Sequence, residues 1–295
     1  MPETEAWTIG RLLTWTTDYL TKHGAESPRL DAEVLLAEAR HCERIELYTA
    51  FDELASDETR VAFRELVHRR AEGMPVAYLV GRREFYALAF YVTPDVLIPR
   101  PETEFIIVSL LDLVKGQAPG DQPLRIADVG TGSGILAVCA ARHIPKCQVM
   151  ALDTSQAALA VARRNVRLHK VEDRVELRHS DLFDELSEDV RFDFVISNPP
   201  YVSEAEYRAL PVDVRSYEPR EALVAGPKGT EVIQRLLNQS FRHLKPNGWL
   251  LFEISPTIEA DVRQLVEDSD AWHTWEVVKD LAGLPRVVKL QRSGS

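Results

Sequence analysis

The chain has 295 residues, 45% of them hydrophobic and 27% charged, the balance of a globular protein with one large or two ordinary domains. Acidic residues outnumber basic ones by 46 to 35, a formal net charge of −11, so the field around the molecule opposes DNA or RNA and no nucleic-acid partner is expected. Three cysteines, Cys42, Cys139 and Cys147, are too few and too widely spaced for a disulfide framework or a zinc site, so no metal is expected and a reducing cytoplasm fits best.

In chain order, residues 1–5 are acidic and have neither the basic start and apolar run of a signal peptide nor the arginine-rich character of a transit peptide. Ile9, Leu12, Leu13 and Leu20 then recur near helical spacing. Ser27 before Pro28 reads as an N-cap followed by proline at the first helical position, with Leu30, Val34 and Leu35 as the apolar face. Ser56, Asp57 and Glu58 open another helix, buried through Phe63, Leu66 and Val67 and stopped by Gly73, Met74 and Pro75. Residues 1–75 therefore predict a small helical bundle. Residues 76–98 change character: 84–92 is rich in aromatics without helical period, and reads as a strand or β-hairpin connecting two domains.

From residue 99 to 295 a helix starts at Pro101, and strands then alternate with helices. The apolar run at 105–114, broken by Ser109 and Asp112, is too short to span a membrane. Strands are predicted at 124–129, 149–153, 175–178, 192–197 and 249–254, helices at 135–143, 155–169, 229–244 and 258–266, and an antiparallel pair at 275–278 and 286–290. This is an α/β, Rossmann-like, mostly parallel sheet covered on both faces.

Gly130, Thr131, Gly132, Ser133 and Gly134 lie between the first of these strands and its helix. Glycines there permit unusual backbone angles and close approach of a ligand to the main chain, at the sheet edge where nucleotide-like cofactors bind. The spacing G-x-G-x-G differs from the dinucleotide fingerprint. Asp153, ending the second strand, is placed to accept hydrogen bonds from ribose hydroxyls, as in both nicotinamide and S-adenosylmethionine sites, or else to cap the next helix. Asp181, after the third strand, is placed to meet an adenine amino group or to serve as a loop residue.

Asn198, Pro199, Pro200 and Tyr201 follow the fourth strand directly, at the same edge as the glycine loop. An amide nitrogen is a poor nucleophile because its lone pair is delocalised. Two fixed acceptors on its N–H bonds favour a pyramidal nitrogen and stabilise the charge that develops during transfer. Asn198 offers its side-chain oxygen and Pro199 its carbonyl, on a residue that brings no competing N–H. Tyr201 can pack on a planar group, so the motif suits planar –NH2 substrates.

This tetrapeptide, with Gly130 to Gly134, resembles Rossmann-like amino-group methyltransferases that act on adenine N6 or on protein glutamine. Residues 98–104 (Ile-Pro-Arg-Pro-Glu-Thr-Glu), 217–223 (Tyr-Glu-Pro-Arg-Glu-Ala-Leu) and 280–288 (Asp-Leu-Ala-Gly-Leu-Pro-Arg-Val-Val) resemble the release-factor glutamine methyltransferases, the HemK/PrmC family, nearly end to end. The resemblance implies S-adenosylmethionine as cofactor and a peptide-chain release factor as partner, methylated on the glutamine of its Gly-Gly-Gln motif. It implies that Gly130, Thr131, Gly132, Ser133, Gly134, Asp153, Asp181, Leu182 and Asn198 line the cofactor, and that Asn198, Pro199, Pro200 and Tyr201 hold the glutamine, with Asn198, Pro199 and Tyr201 carrying catalysis. The helical residues 1–75 are then expected to recognise the protein substrate. Ribosomal-protein glutamine and nucleic-acid adenine remain as alternative targets. Arg100 and Glu102 fall in a family segment without an assigned role. Two positions depart from the family: Ser255-Pro256 stands where glycine is usual, with Pro256 placed to start a helix, and Leu182 replaces an aromatic.

Overall fold

The computed structural model describes residues 6–116 and 122–294; the acidic start at residues 1–5 lies outside them. The chain forms two compact units, one of residues 1–82 with 211–217, the other of residues 83–210 with 218–295.

The first unit is helical: α1 (Ile9–Lys22), α2 (Pro28–Arg40), α3 (Glu46–Thr49), α4 (Asp57–Ala71) and α5 (Val76–Val80). Thr8 and Ser56 cap α1 and α4, each side chain accepting from the backbone N–H three residues on. Ser27 occupies the N-cap position of α2 with Pro28 after it, but its side chain makes no capping bond. Ile9, Leu13, Leu20, Leu35, Leu36 and Leu47 are fully buried, as helical spacing requires. Leu30 is a correction: it is 45% exposed, and α2 turns Asp31 and Glu33 inward instead. Charge pairing permits this, since Arg70 Nε donates to Asp31 at 2.8 Å, while Arg29, Arg44 and the Tyr48 hydroxyl all donate to Glu33.

The second unit opens with a hairpin, β1 (Arg82–Phe85) and β2 (Leu88–Tyr91), so the expected hairpin is preceded by a helix, α5, within residues 76–98. A turn from Pro101 to Thr103 leads into α6 (Glu104–Lys115). Then follow β3 (Leu124–Val129), α7 (Ile135–His143), β4 (Cys147–Asp153), α8 (Gln156–Leu168), β5 (Val175–His179) and β6 (Phe192–Ser197). The short elements β7 (Val202–Ser203), α9 (Glu204–Ala209), α10 (Val212–Tyr217) and β8 (Val224–Gly226) intervene before α11 (Glu231–His243), β9 (Leu244–Glu253), α12 (Glu259–Glu267), β10 (Glu276–Lys279) and β11 (Pro285–Gln291). Of these, α10 belongs to the helical unit, where the Tyr217 hydroxyl donates to the Glu72 carbonyl at 3.0 Å.

Seven strands form one sheet in the order β10-β11-β9-β6-β3-β4-β5, with β3, β4, β5, β6 and β9 parallel and β11 antiparallel to both its neighbours, β9 and β10. Strand alternation sends Ile126 and Ile196 to one apolar layer and Ala127, Val129 and Val195 to the other, so both faces are covered as the sequence pattern predicts. The chain builds outward from β3 through β4 to β5, then returns to place β6 on the other side of β3. That reversal opens a crevice beyond the carboxyl ends of β3 and β6, where open α/β sheets bind ligands.

Candidate active site

The glycine loop leaves β3 at that crevice. Gly130, Gly132 and Gly134 take φ values of 71°, 54° and 84°, which side chains rarely adopt. A Cβ on Gly130 or Gly132 would meet nothing within 4 Å, so these positions leave open space for a ligand, whereas one on Gly134 would come within 3.2 Å of the Ala162 Cβ on α8. The first two glycines thus serve the crevice and the third serves helix packing. Asp128, fully buried beneath, pins the loop: its Oδ2 accepts from the Thr131 hydroxyl at 2.7 Å and from the Ala137 N–H at 2.9 Å. Asn165 of α8, also fully buried, donates to the carbonyls of Ser133 and Tyr91 and accepts from the Tyr91 N–H. It ties the hairpin to the loop, a role that nothing in its sequence position announces.

Burial pushes the Asp128 carboxyl up to about 7, against the Thr131 and Ala137 donors, which favour its charge. The folded value lies above that of the unfolded chain, about 3.9. Between those two pH values the native state keeps a proton the unfolded chain has lost, so stability falls as pH rises from about 4 to about 7. We predict that Asp128→Asn removes a pH-dependent loss on the order of 3 kcal/mol, read by denaturant unfolding at pH 4.5 and 8. An unchanged difference between the two pH values would refute it.

A cleft of about 540 Å³ lies over the loop, lined by Gly130, Thr131, Gly132, Ser133, Asp153, Asp181, Leu182, Asn198 and Pro200, among others. Gly134, Pro199 and Tyr201 do not line it. Asp153 accepts from the Gly132 N–H at 2.8 Å and the Ser155 N–H at 2.9 Å, so it both shapes the loop and starts α8. Burial raises its pKa, and the N–H donors oppose that rise. Asp181 is half-exposed and pairs with Arg235 at 2.9 Å. Leu182 holds φ 52° and is buried while still reaching the cleft, so its side chain supplies an apolar wall. Ser255 caps the short turn that Pro256 begins, which accounts for that departure from glycine.

At the other end of the cleft, Asn198 Nδ2 donates to Thr103 Oγ1 at 3.1 Å. The Thr103 hydroxyl donates to Glu253 Oε2 at 2.6 Å, and the Tyr201 hydroxyl donates to Glu253 Oε1 at 3.0 Å. Glu253 is 2% exposed, and burial pushes its carboxyl up to about 7, while the Thr103 and Tyr201 donors hold it down. Burial, then the Glu253 charge, raises the Tyr201 phenol, so its hydroxyl remains a donor. Tyr201 is thereby anchored by its hydroxyl to Glu253. Arg100 pairs with buried Glu218 at 2.5 Å, and Glu218 also accepts from the Ile98 N–H. Arg286 pairs with Asp280 at 2.8 Å and lies 4.0 Å from Glu102. The segments 98–104, 217–223 and 280–288, distant in sequence, are therefore joined by ion pairs beside the Asn198 motif.

The descriptions that match the chain follow the two halves of this organisation: "PrmC N-terminal domain" over residues 11–81 and "Methyltransferase small domain" over residues 110–212. The Rhodopirellula baltica protein named release factor glutamine methyltransferase is 51% identical over 287 residues, 97% of each chain. The chain belongs to the release factor glutamine methyltransferase family. A second member, from Koribacter versatilis, is 42% identical over 89% of this chain and 90% of its own. A methyltransferase structure from Pyrococcus furiosus matches with a TM-score of 0.50 at 19% identity, covering 77% of this chain and 98% of that one, and supports the fold alone. The family places the chain among S-adenosylmethionine-dependent methyltransferases, and the open glycine positions and the Asp153 carboxylate fit that cofactor. No helix among the described residues is long and apolar enough to cross a membrane.

Proposed function

We propose that the chain methylates the side-chain amide nitrogen of the glutamine in the Gly-Gly-Gln motif of peptide-chain release factors, in the cytoplasm. The observation that carries this reading is the carboxamide of Asn198, which borders the cleft and is held from behind by Thr103. The family relatives named for this substrate support it.

In this reading the backbone of Gly130 to Ser133 and the carboxylate of Asp153 hold the cofactor's polar groups, Asp153 taking the ribose hydroxyls. Asp181 takes the adenine amino group, and Leu182 packs on the ring. When bound, S-adenosylmethionine supplies an electrophilic sulfonium methyl. Asn198 Oδ1, on the cleft, and the Pro199 carbonyl, set behind it, would accept the two N–H bonds of the glutamine amide and turn its lone pair toward the methyl. They would stabilise positive charge as the N–C bond forms and the S–C bond breaks to leave the thioether, the surplus N–H proton passing to solvent in the cleft. Pro200 fixes the approach of the chain, and Tyr201 supports Asn198 through Glu253. Mass spectrometry of unmethylated release factor, its Gln→Ala variant, a ribosomal protein and an adenine-containing oligonucleotide tests the assignment. One methyl on the Gly-Gly-Gln glutamine alone is expected; preferential modification of either other substrate would overturn it.

The helical unit, centred on residues 1–75, serves to recognise the protein substrate, with residues 76–98 connecting it to the transfer domain, 99–295. It carries Ile45, Leu54 and Val61 about 70% exposed, apolar area that a protein partner would gain by burying. Ile45→Ser with Leu54→Ser is expected to raise KM for the release factor about tenfold, the scale of losing one or two apolar anchors, at unchanged kcat. An unchanged KM would remove these side chains from the interface.

A further inference from the structure

We propose that Thr103 and Glu253 are positioning residues that set the polarity of the Asn198 carboxamide, so that its oxygen rather than its nitrogen faces the substrate amide. The inference rests on the reading of Asn198 as the group that holds the glutamine.

A carboxamide presents an acceptor at one end and a donor at the other, and a half-turn about its last bond exchanges them. Only the acceptor end can take an N–H of an amide substrate; the donor end would push against it. What decides the orientation is therefore what Asn198 meets on its buried side. It meets Thr103 Oγ1 at 3.1 Å, and a hydroxyl by itself is indifferent, able to donate or accept. Thr103 is fully buried and has one hydroxyl hydrogen, which it gives to Glu253 Oε2 at 2.6 Å. An ionised carboxylate only accepts. With its hydrogen committed, Thr103 can only accept from Asn198, and Asn198 must turn Nδ2 inward and leave Oδ1 toward the cleft.

The direction of the whole chain is thus imposed by Glu253, whose second oxygen is occupied by the Tyr201 hydroxyl at 3.0 Å. Burial pushes that carboxyl up to about 7, while the Thr103 and Tyr201 hydroxyls, one on each oxygen, favour its charged form, so the direction is enforced above that pH. The arrangement brings together three separate stretches: the Pro101–Thr103 turn, the β6 exit and the end of β9. It also gives the family segment at 98–104 a task in the chemistry through Thr103, apart from the Arg100–Glu218 pair.

Two nearly isosteric changes separate polarity from packing. Thr103→Val keeps the volume and removes the acceptor. Glu253→Gln keeps the shape but can donate to Thr103, which frees the hydroxyl to donate to Asn198 and draws Oδ1 inward. Each is expected to lower kcat on release factor at least about tenfold, the scale on which a misdirected hydrogen-bonding group costs turnover, with S-adenosylmethionine affinity and KM little changed. Thr103→Ser retains the hydroxyl and restores kcat. On an Asn198→Ala background, Thr103→Val adds no further loss, because its effect passes through the missing carboxamide. Wild-type kcat in Thr103→Val, or the same loss repeated on the Asn198→Ala background, overturns the proposal. If Asn198→Ala itself turns over normally, the reading of Asn198 fails; if only Asn198→Ala is impaired, the polarity proposal fails alone.

Discussion

Replacing Asn198 with alanine is expected to lower kcat on a release factor by about 10²–10³-fold, the usual cost of deleting one preorganised group that meets developing charge. The residue follows β6 at the reversal point of the sheet, and its carboxamide is the polar side chain that borders the cleft between the glycine loop and the Pro101–Thr103 turn. Removing it leaves the loop, Asp153 and Asp181 untouched, since none of them bonds to it. Equilibrium binding of S-adenosylmethionine should therefore stay close to wild type while single-turnover methylation slows. Asn198→Asp is the sharper companion. Its carboxylate offers an acceptor to the substrate but presents no donor to Thr103, whose hydrogen is already given to Glu253, so the new side chain sits against Thr103 with a buried acceptor–acceptor contact left unpaired. Turnover should remain low in both. A variant with full turnover and unaltered KM would show that the glutamine amide is held elsewhere.

The second large effect is expected at Asp153. Asp153→Asn should weaken S-adenosylmethionine binding by about 10–100-fold, because a charged acceptor contributes about 1.5–3 kcal/mol per hydrogen bond. Two consequences act together. The carboxylate accepts from the Gly132 N–H through Oδ2 and from the Ser155 N–H through Oδ1, so an amide nitrogen at either position faces a backbone donor. The same carboxylate is also the acceptor offered to the ribose. Isothermal titration measures the first quantity directly, and kcat at saturating cofactor should recover most of its wild-type value. Affinity within about threefold of wild type, a difference well under one such hydrogen bond, would remove Asp153 from the cofactor site.

Most of the sheet is legible in the sequence. The runs at 124–129 and 192–197 become β3 and β6 at the same residues, and the terminal pair at 275–278 and 286–290 becomes the antiparallel β10 and β11. Short apolar runs bounded by glycine, proline or aspartate leave few alternatives to buried strands. The glycine loop and the Asn198 motif are legible for the same reason: each follows a strand directly, and parallel strands put their exits on one edge. The hairpin is an instructive contrast. Its turn residues, Tyr86 and Ala87, adopt φ values of 50° and 56°, which local preference assigns to glycine or asparagine. They are held there from outside: the Tyr86 N–H donates to Glu104 at 2.9 Å, and its ring meets His143 edge-on at 5.0 Å. Leu30 fails in the opposite sense, since helical spacing predicts burial and the charge pairs of Asp31 and Glu33 rotate the helix away from it.

The sequence by itself determined the seven strands of the main sheet and the long helices between them, the glycine loop, the acid that follows it and the family, because these depend on residue type and spacing along the chain. The short elements α3, α5, β7, α9, α10 and β8 carry no such signal. Only the tertiary structure decided which side chains act on one another across the site. Thr103 and Glu253 are 150 positions apart, and Asn198 is 95 from Thr103; Arg100 and Glu218 are 118 apart. A hydroxyl's choice to donate or accept is not a property of threonine but of its neighbours. Burial in turn makes that choice binding, because a misdirected donor inside the protein has no water to turn to.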